Sequence, residues 1–159
     1  MAIASAGGLS SYPNITWTPI TTGLAVFEVL SSPVGGGRVL EIALNMVTNS
    51  SSILVPVLLG VPDRPGTSTA NTRSAFVRDD PGDPASLASV AKEWIYPPQT
   101  PSNLYRRQAL LGNACFYSVW TFPAGITISP SRSLAAWITG TPTSTNLNAG
   151  LGWNIVIDD

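Results

Sequence analysis

Residues 38–48 read RVLEIALNMVT, and this alternation constrains the fold more than any other feature of the chain. Leu40, Ile42, Leu44 and Met46 fall on one side, and Glu41, Ala43 and Asn45 on the other. A period of two marks a strand with one buried face. The run Gly35-Gly36-Gly37 just before it supplies a turn. It is not a phosphate loop, because no GK[ST] follows and no helix opens there.

Short apolar segments of the same kind recur along the chain. Residues 24–30 (LAVFEVL) predict a strand. Residues 53–59 (ILVPVLL) are interrupted by Pro56, which cannot donate to a ladder, so an edge strand or a bulge is expected. The long irregular segment 60–89 is rich in proline, with a short strand expected at 74–78. Residues 90–96 (VAKEWIY) alternate again until Pro97-Pro98 ends them. Residues 104–111 and 114–122 predict strands joined at Gly112-Asn113, a tight hairpin signal. On the second of these, Phe116, Ser118, Trp120 and Phe122 share a face.

Pro123-Ala124-Gly125 then turns into 126–128, and residues 129–132 turn into a strand at 134–138. A polar loop over 139–148 leads to LGWNIVI, where Leu151, Trp153, Ile155 and Ile157 alternate. Eight or nine short strands with little helix predict an all-β antiparallel sandwich or barrel. The 159 residues make one domain, expected over 15–159, preceded by a small-residue, uncharged segment 1–14 read as a flexible arm.

Composition then limits the chemistry. The chain has no histidine, one cysteine and one lysine, and only 11% of its residues are charged. Histidine is the commonest general base and metal ligand, so triad, acid–base and zinc chemistry lose their usual tools. Serines abound, but no G-x-S-x-G elbow is present. Glu28 and Glu41 lie on strands predicted to be neighbours, where a hydrolase pair is conceivable; outward-facing strand residues are the simpler reading. Asp79-Asp80-Pro81-Gly82-Asp83 offers oxygens to a hard cation but lacks EF-hand spacing, and reads as a solvated turn. Cys115 sits in an apolar run as a small buried hydrophobe. No enzymatic activity, metal or cofactor is expected.

Nine acids against eight bases leave a net charge of −1, and no segment approaches the length of a membrane span. The first residues lack the basic region of a signal peptide. Neither nucleic acid nor membrane is therefore an expected partner. Arg73, Arg78, Arg106 and Arg107 form at most a small basic patch, better suited to carboxylates at a protein interface. Tyr12, Trp94 and Tyr96 join them as candidate interface residues, with Trp94 and Tyr96 able to stack on a sugar ring or anchor a partner. The positive mean hydropathy suits a surface covered by other protein.

The stretch Phe122-Pro-Ala-Gly-Ile-Thr-Ile-Ser-Pro-Ser-Arg-Ser-Leu134, followed by Trp137 and by Trp153-Asn-Ile-Val-Ile157, resembles the closing strands of small viral jelly rolls. The likeness covers residues 104–157. Within that group the chain is similar to the decoration, or cement, proteins of tailed-phage heads. The resemblance implies an antiparallel jelly-roll sandwich of about eight strands and a trimer that binds the major capsid protein lattice on the outer surface of the virion. Segment 1–14 has no Lys or Arg, unlike arms that neutralise packaged genomes, and so favours a place outside the shell. The arm and segment 60–89 are the expected contacts. A glycan- or receptor-binding head of a tail fibre or spike, and a shell-forming single jelly-roll capsid protein, are the alternative functions.

Overall fold

The computed structural model describes residues 2–15, 24–48, 54–67, 73–101, 104–111, 116–138 and 147–159. The chain runs through β1 (Ile3–Ile15), β2 (Leu24–Leu30), β3 (Gly37–Thr48), β4 (Leu54–Gly60), β5 (Arg73–Ala75) and β6 (Val77–Arg78). It continues through β7 (Ser89–Ala91), β8 (Arg106–Leu111), β9 (Phe116–Ile128), β10 (Ser133–Ile138) and β11 (Leu147–Asp158). All pairings are antiparallel, in two sheets ordered β6-β1-β11-β3-β9 and β5-β7-β2-β10-β4-β8.

Setting aside β5, β6 and β7, the sheets are β1-β11-β3-β9 and β2-β10-β4-β8. Successive strands alternate between sheets except at β4 and β8, which pair in one sheet, and the last strands return beside the first. This is the double Greek key of a jelly roll. The three short strands belong to one long insert between β4 and β8. β5 and β6 lie on opposite sheets, so the chain crosses between the sheets at Phe76, whose side chain is buried.

The core follows from the alternation. Ile42, Leu44 and Met46 of β3 face inward beside Leu151, Trp153, Ile155 and Ile157 of β11. Val26, Phe27, Val29, Leu134, Ala136 and Ile138 meet them from the second sheet. Phe27 and Trp153 pack with ring centroids 5.5 Å apart. Burying each large side chain contributes about 1.5–3 kcal/mol. A polar tie crosses this core: Ser10 Oγ donates to the Val26 carbonyl at 2.7 Å and accepts from Trp153 Nε1 at 3.3 Å.

Several sequence expectations are corrected. Residues 3–15 are not an arm: they form β1, held between β6 and β11 with Ala4 and Ala6 in the core. Small, uncharged residues read as disorder in isolation, but they also suit a strand pressed against large neighbours. Leu40 drops out of the β3 alternation because the ladder passes from Val39 to Glu41 on both sides, and Val39 takes the inward place.

Strand β4 lies inside its sheet rather than on an edge. Pro56 stands opposite Ala109 of β8, and the pairing of β4 with β10 is described from Val57 onward. β8 and β9 are not a hairpin, since each pairs in a different sheet. The turn Gly112-Asn113 and Cys115 lie outside the described residues. β9 runs through the expected turn at 123–125, where Gly125 takes a positive φ of 69°. Segment 90–96 supplies only β7, and segment 74–78 divides at Phe76.

Candidate functional site

The insert spanning 61–105 does more than connect β4 to β8. Its segments at 61–67 and 92–101 lie over the outer face of the six-stranded sheet. Gly66 and Trp94 reach Glu28 there, and Thr67 pairs with Tyr96 in an isolated bridge. Gln99 N donates to the Arg64 carbonyl at 3.0 Å, tying the two segments together. Beneath them sits a second apolar cluster of Ala25, Leu58, Ala135 and Trp137, against which Trp94 packs. Trp137 is fully buried, and its Nε1 donates to the Pro98 carbonyl at 3.0 Å.

Glu28 is the centre of this layer. Its carboxylate accepts from Ser133 Oγ at 2.6 Å, from Trp94 Nε1 at 3.2 Å, and from Gly66 N at 3.1 Å to each oxygen. The side chain points out of the sandwich, as expected, but it is completely buried because the insert covers it. A buried carboxylate persists only where several donors replace water, and three groups do so here. Gly66 is required by space: a Cβ there would lie 2.4 Å from Trp94 Cδ1 and 2.8 Å from Glu28 Oε2. Glu28 and Glu41 do not meet, because their strands belong to different sheets and each residue lies on the outer face of its own. Two of the three groups that donate to Glu28, Gly66 N and Trp94 Nε1, belong to the insert, so the carboxylate ties the insert to the sheet.

Above this layer Ile95 and Tyr96 stand out, 60% and 65% exposed on a backbone whose neighbours are pinned. Trp94, expected beside Tyr96 as an open stacking surface, is half-buried with its indole N–H engaged by Glu28. The insert also borders an open depression of about 310 Å³ lined by Val61, Pro62, Asp63, Pro101, Leu104 and Tyr105.

The arginines do not gather into one patch. Arg78 lies 2.6 Å from Asp159 Oδ1 and donates to the Ala2 and Pro84 carbonyls at 2.6 and 2.8 Å. Arg106 stacks over the Phe122 ring at 5.4 Å, across the sandwich edge where Gln108 Oε1 accepts from Ser118 Oγ and Trp120 Nε1. Arg73 and Arg107 are exposed on β5 and β8, at opposite edges of the six-stranded sheet. Tyr12 pairs with Ala149 in the β1–β11 ladder.

The Asp79–Asp83 stretch is an exposed turn in which Asp80 Oδ1 accepts from Gly82 N at 2.8 Å. Among the described residues no group of three or more His, Cys, Asp or Glu is placed to hold a metal ion, and no helix is long and apolar enough to cross a membrane.

The buried Glu28 cluster was missed from the sequence because its donors come from positions 38, 66 and 105 residues away. The one available signal was a lone carboxylate inside the apolar run LAVFEVL. No protein-family model matches the chain, and no curated protein matches it. The strand order alone therefore defines its class, a jelly-roll β-sandwich.

Proposed function

We propose that this chain is a non-enzymatic structural protein of a virion, which docks on the outside of a capsid lattice as an oligomer of itself and stabilises it. The observation that carries the reading is the pinned insert. A jelly roll that spends a buried carboxylate and an extra apolar layer on fixing a surface loop presents Ile95 and Tyr96 in one conformation. Rigid aromatic and aliphatic anchors lose little entropy on docking, which suits a lattice contact. The arginines add support: Arg38 and Arg78 pair with acids and Arg106 covers an aromatic ring, uses typical of protein surfaces rather than phosphate tracks. The contact once expected from segment 1–14 is dropped, because those residues are committed to β1.

The test is co-sedimentation with purified heads that lack the protein. Wild type is expected to pellet with the heads, and the double variant Ile95→Asp, Tyr96→Ala to remain in the supernatant while keeping its melting temperature. Undiminished pelleting by that variant overturns the proposed contact, and absence of wild-type binding to any head overturns the function. Closed particles formed by the protein alone would instead identify a shell-forming subunit.

A further inference from the structure

The two outer faces of the sandwich are treated differently. The insert covers the six-stranded sheet, whereas nothing among the described residues covers β1-β11-β3-β9. There Tyr117, Leu9 and Val119 are 64%, 52% and 39% exposed. Register places the outward residues in three rows across the four strands. Leu9, Gly152, Asn45 and Tyr117 make the first; Gly7, Asn154, Ala43 and Val119 the second; Ser5, Val156, Glu41 and Thr121 the third. Glu41 is the one charged residue in these rows. The Arg38–Asp158 pair, 2.8 Å apart, neutralises itself at one end.

We infer that this face is the seat of a second copy of the chain, related by a two-fold axis that runs along the strands between the facing sheets. Such an axis keeps each row and reverses the strand order, so β1 lies over β9 and β11 over β3. Every large residue then meets a small or apolar one: Tyr117 covers Leu9, Val119 fills the space left by Gly7, and Thr121 meets Ser5. Glu41 lays its stem on Val156, with the Ser5 hydroxyl beside it. A face that is raised along β9 and hollow along β1 is thus complementary to itself, as an isologous interface requires.

The area is sufficient. Four strands about 4.8 Å apart and about nine residues long at 3.3 Å each span about 570 Å² in projection. Side-chain relief raises this into the range of a small specific interface, about 1,200 Å² in total over both partners. Near-parallel sheets packed at about −30° leave room for interdigitated side chains. Glu41 lies on a central strand, so the axis brings its two copies into neighbouring places of one row, and this single like-charge approach is what the pairing must accommodate.

Sedimentation velocity on the full chain over a dilution series tests the pairing. A dimer is expected, as is a hexamer that Val119→Lys splits into trimers. Val119→Lys and Gly7→Glu should each raise the dissociation constant at least about tenfold, since each places a charge against the partner's sheet. Mixing the two variants should restore a heterodimer, because the new acid and base then face each other across copies. Positions 7 and 119 lie three strands apart within one copy, too far to rescue each other there. Should either variant misfold by circular dichroism, Thr121→Arg on the same face replaces it. A wild-type monomer, a trimer unaffected by these changes, or a mixture that stays monomeric overturns the inference.

Discussion

Glu28 and Ser133 are hydrogen-bonded at 2.6 Å with both side chains buried, on the paired strands β2 and β10. Ser133 Oγ thereby fixes one carboxylate oxygen, and Gly66 and Trp94 of the insert close on the rest. Glu28→Ala removes the common acceptor and leaves three donors in a dry layer. Unsatisfied buried donors cost about 1–3 kcal/mol each. The expected loss is about 3 kcal/mol or more, lowering Tm by about 6–12 °C in a domain of this size. Glu28→Gln keeps the shape and one good acceptor, so its loss should be smaller, about 1–2 kcal/mol. Thermal unfolding followed by tryptophan fluorescence checks both. A Glu28→Leu variant as stable as wild type would show that the carboxylate is dispensable.

Gly66→Ala is expected to open the same layer from the other side. Its Cβ would meet Trp94 Cδ1 at 2.4 Å and Glu28 Oε2 at 2.8 Å, well inside contact distance. Overpacking of this kind costs about 1–3 kcal/mol. The insert should shift before the sandwich does. Hydrogen exchange at Thr67, Ile95 and Tyr96, whose amides are bonded between the two segments, should accelerate while the β3–β11 ladder stays protected. Uniform acceleration across both regions would contradict a separable insert layer.

What was legible beforehand follows from how local each signal is. β3 and β11 could be read because their inward residues recur at every second position and their partners are apolar whatever the topology. The register shift at Leu40 was not legible, since a bulge depends on the neighbouring strands and leaves no mark in the apolar pattern. Gly112-Asn113 carried a true turn propensity, but propensity cannot say whether the strands it joins pair or part into two sheets. Glu28 was misread for a related reason: burial of a charge is decided by distant donors, and Gly66 and Ser133 look ordinary in their own segments. The open face of β1-β11-β3-β9 became visible only once register aligned Gly7 with Val119 across three ladders.

Two adjacent glycines test whether residues 3–15 are a strand. A Cβ at Gly8 would lie 2.5 Å from Trp153 Cζ2, whereas at Gly7 its nearest contacts are 3.4 Å away, on the opposite face. Gly8→Ala should therefore push on the Trp153 ring and cost about 1–3 kcal/mol. Gly7→Ala should be neutral or gain up to about 1 kcal/mol, because glycine in a strand interior carries an entropic cost. Denaturant titration of both variants provides the comparison. Equal stabilities would return this segment to the status of an arm.

Arg78 closes the point where the insert crosses between sheets. Its guanidinium touches Asp159 and the carbonyls of Ala2 and Pro84, and both charged side chains are largely buried, 10% and 2% exposed. Asp159 Oδ2 in turn accepts from Ser86 Oγ at 2.7 Å and from Ala88 N at 3.4 Å, so one pair orders three segments. Removing one member of a buried pair strands the other charge, at about 3–5 kcal/mol. Arg78→Ala is expected to cost about that much and to loosen the β1–β6 pairing first. Arg78→Lys restores the charge but not three separate contacts, so it should recover only part of the loss. Unfolding of Arg78→Ala, Asp159→Asn and the double variant gives the coupling directly. Additive losses would show that the pair acts no differently from two independent surface charges.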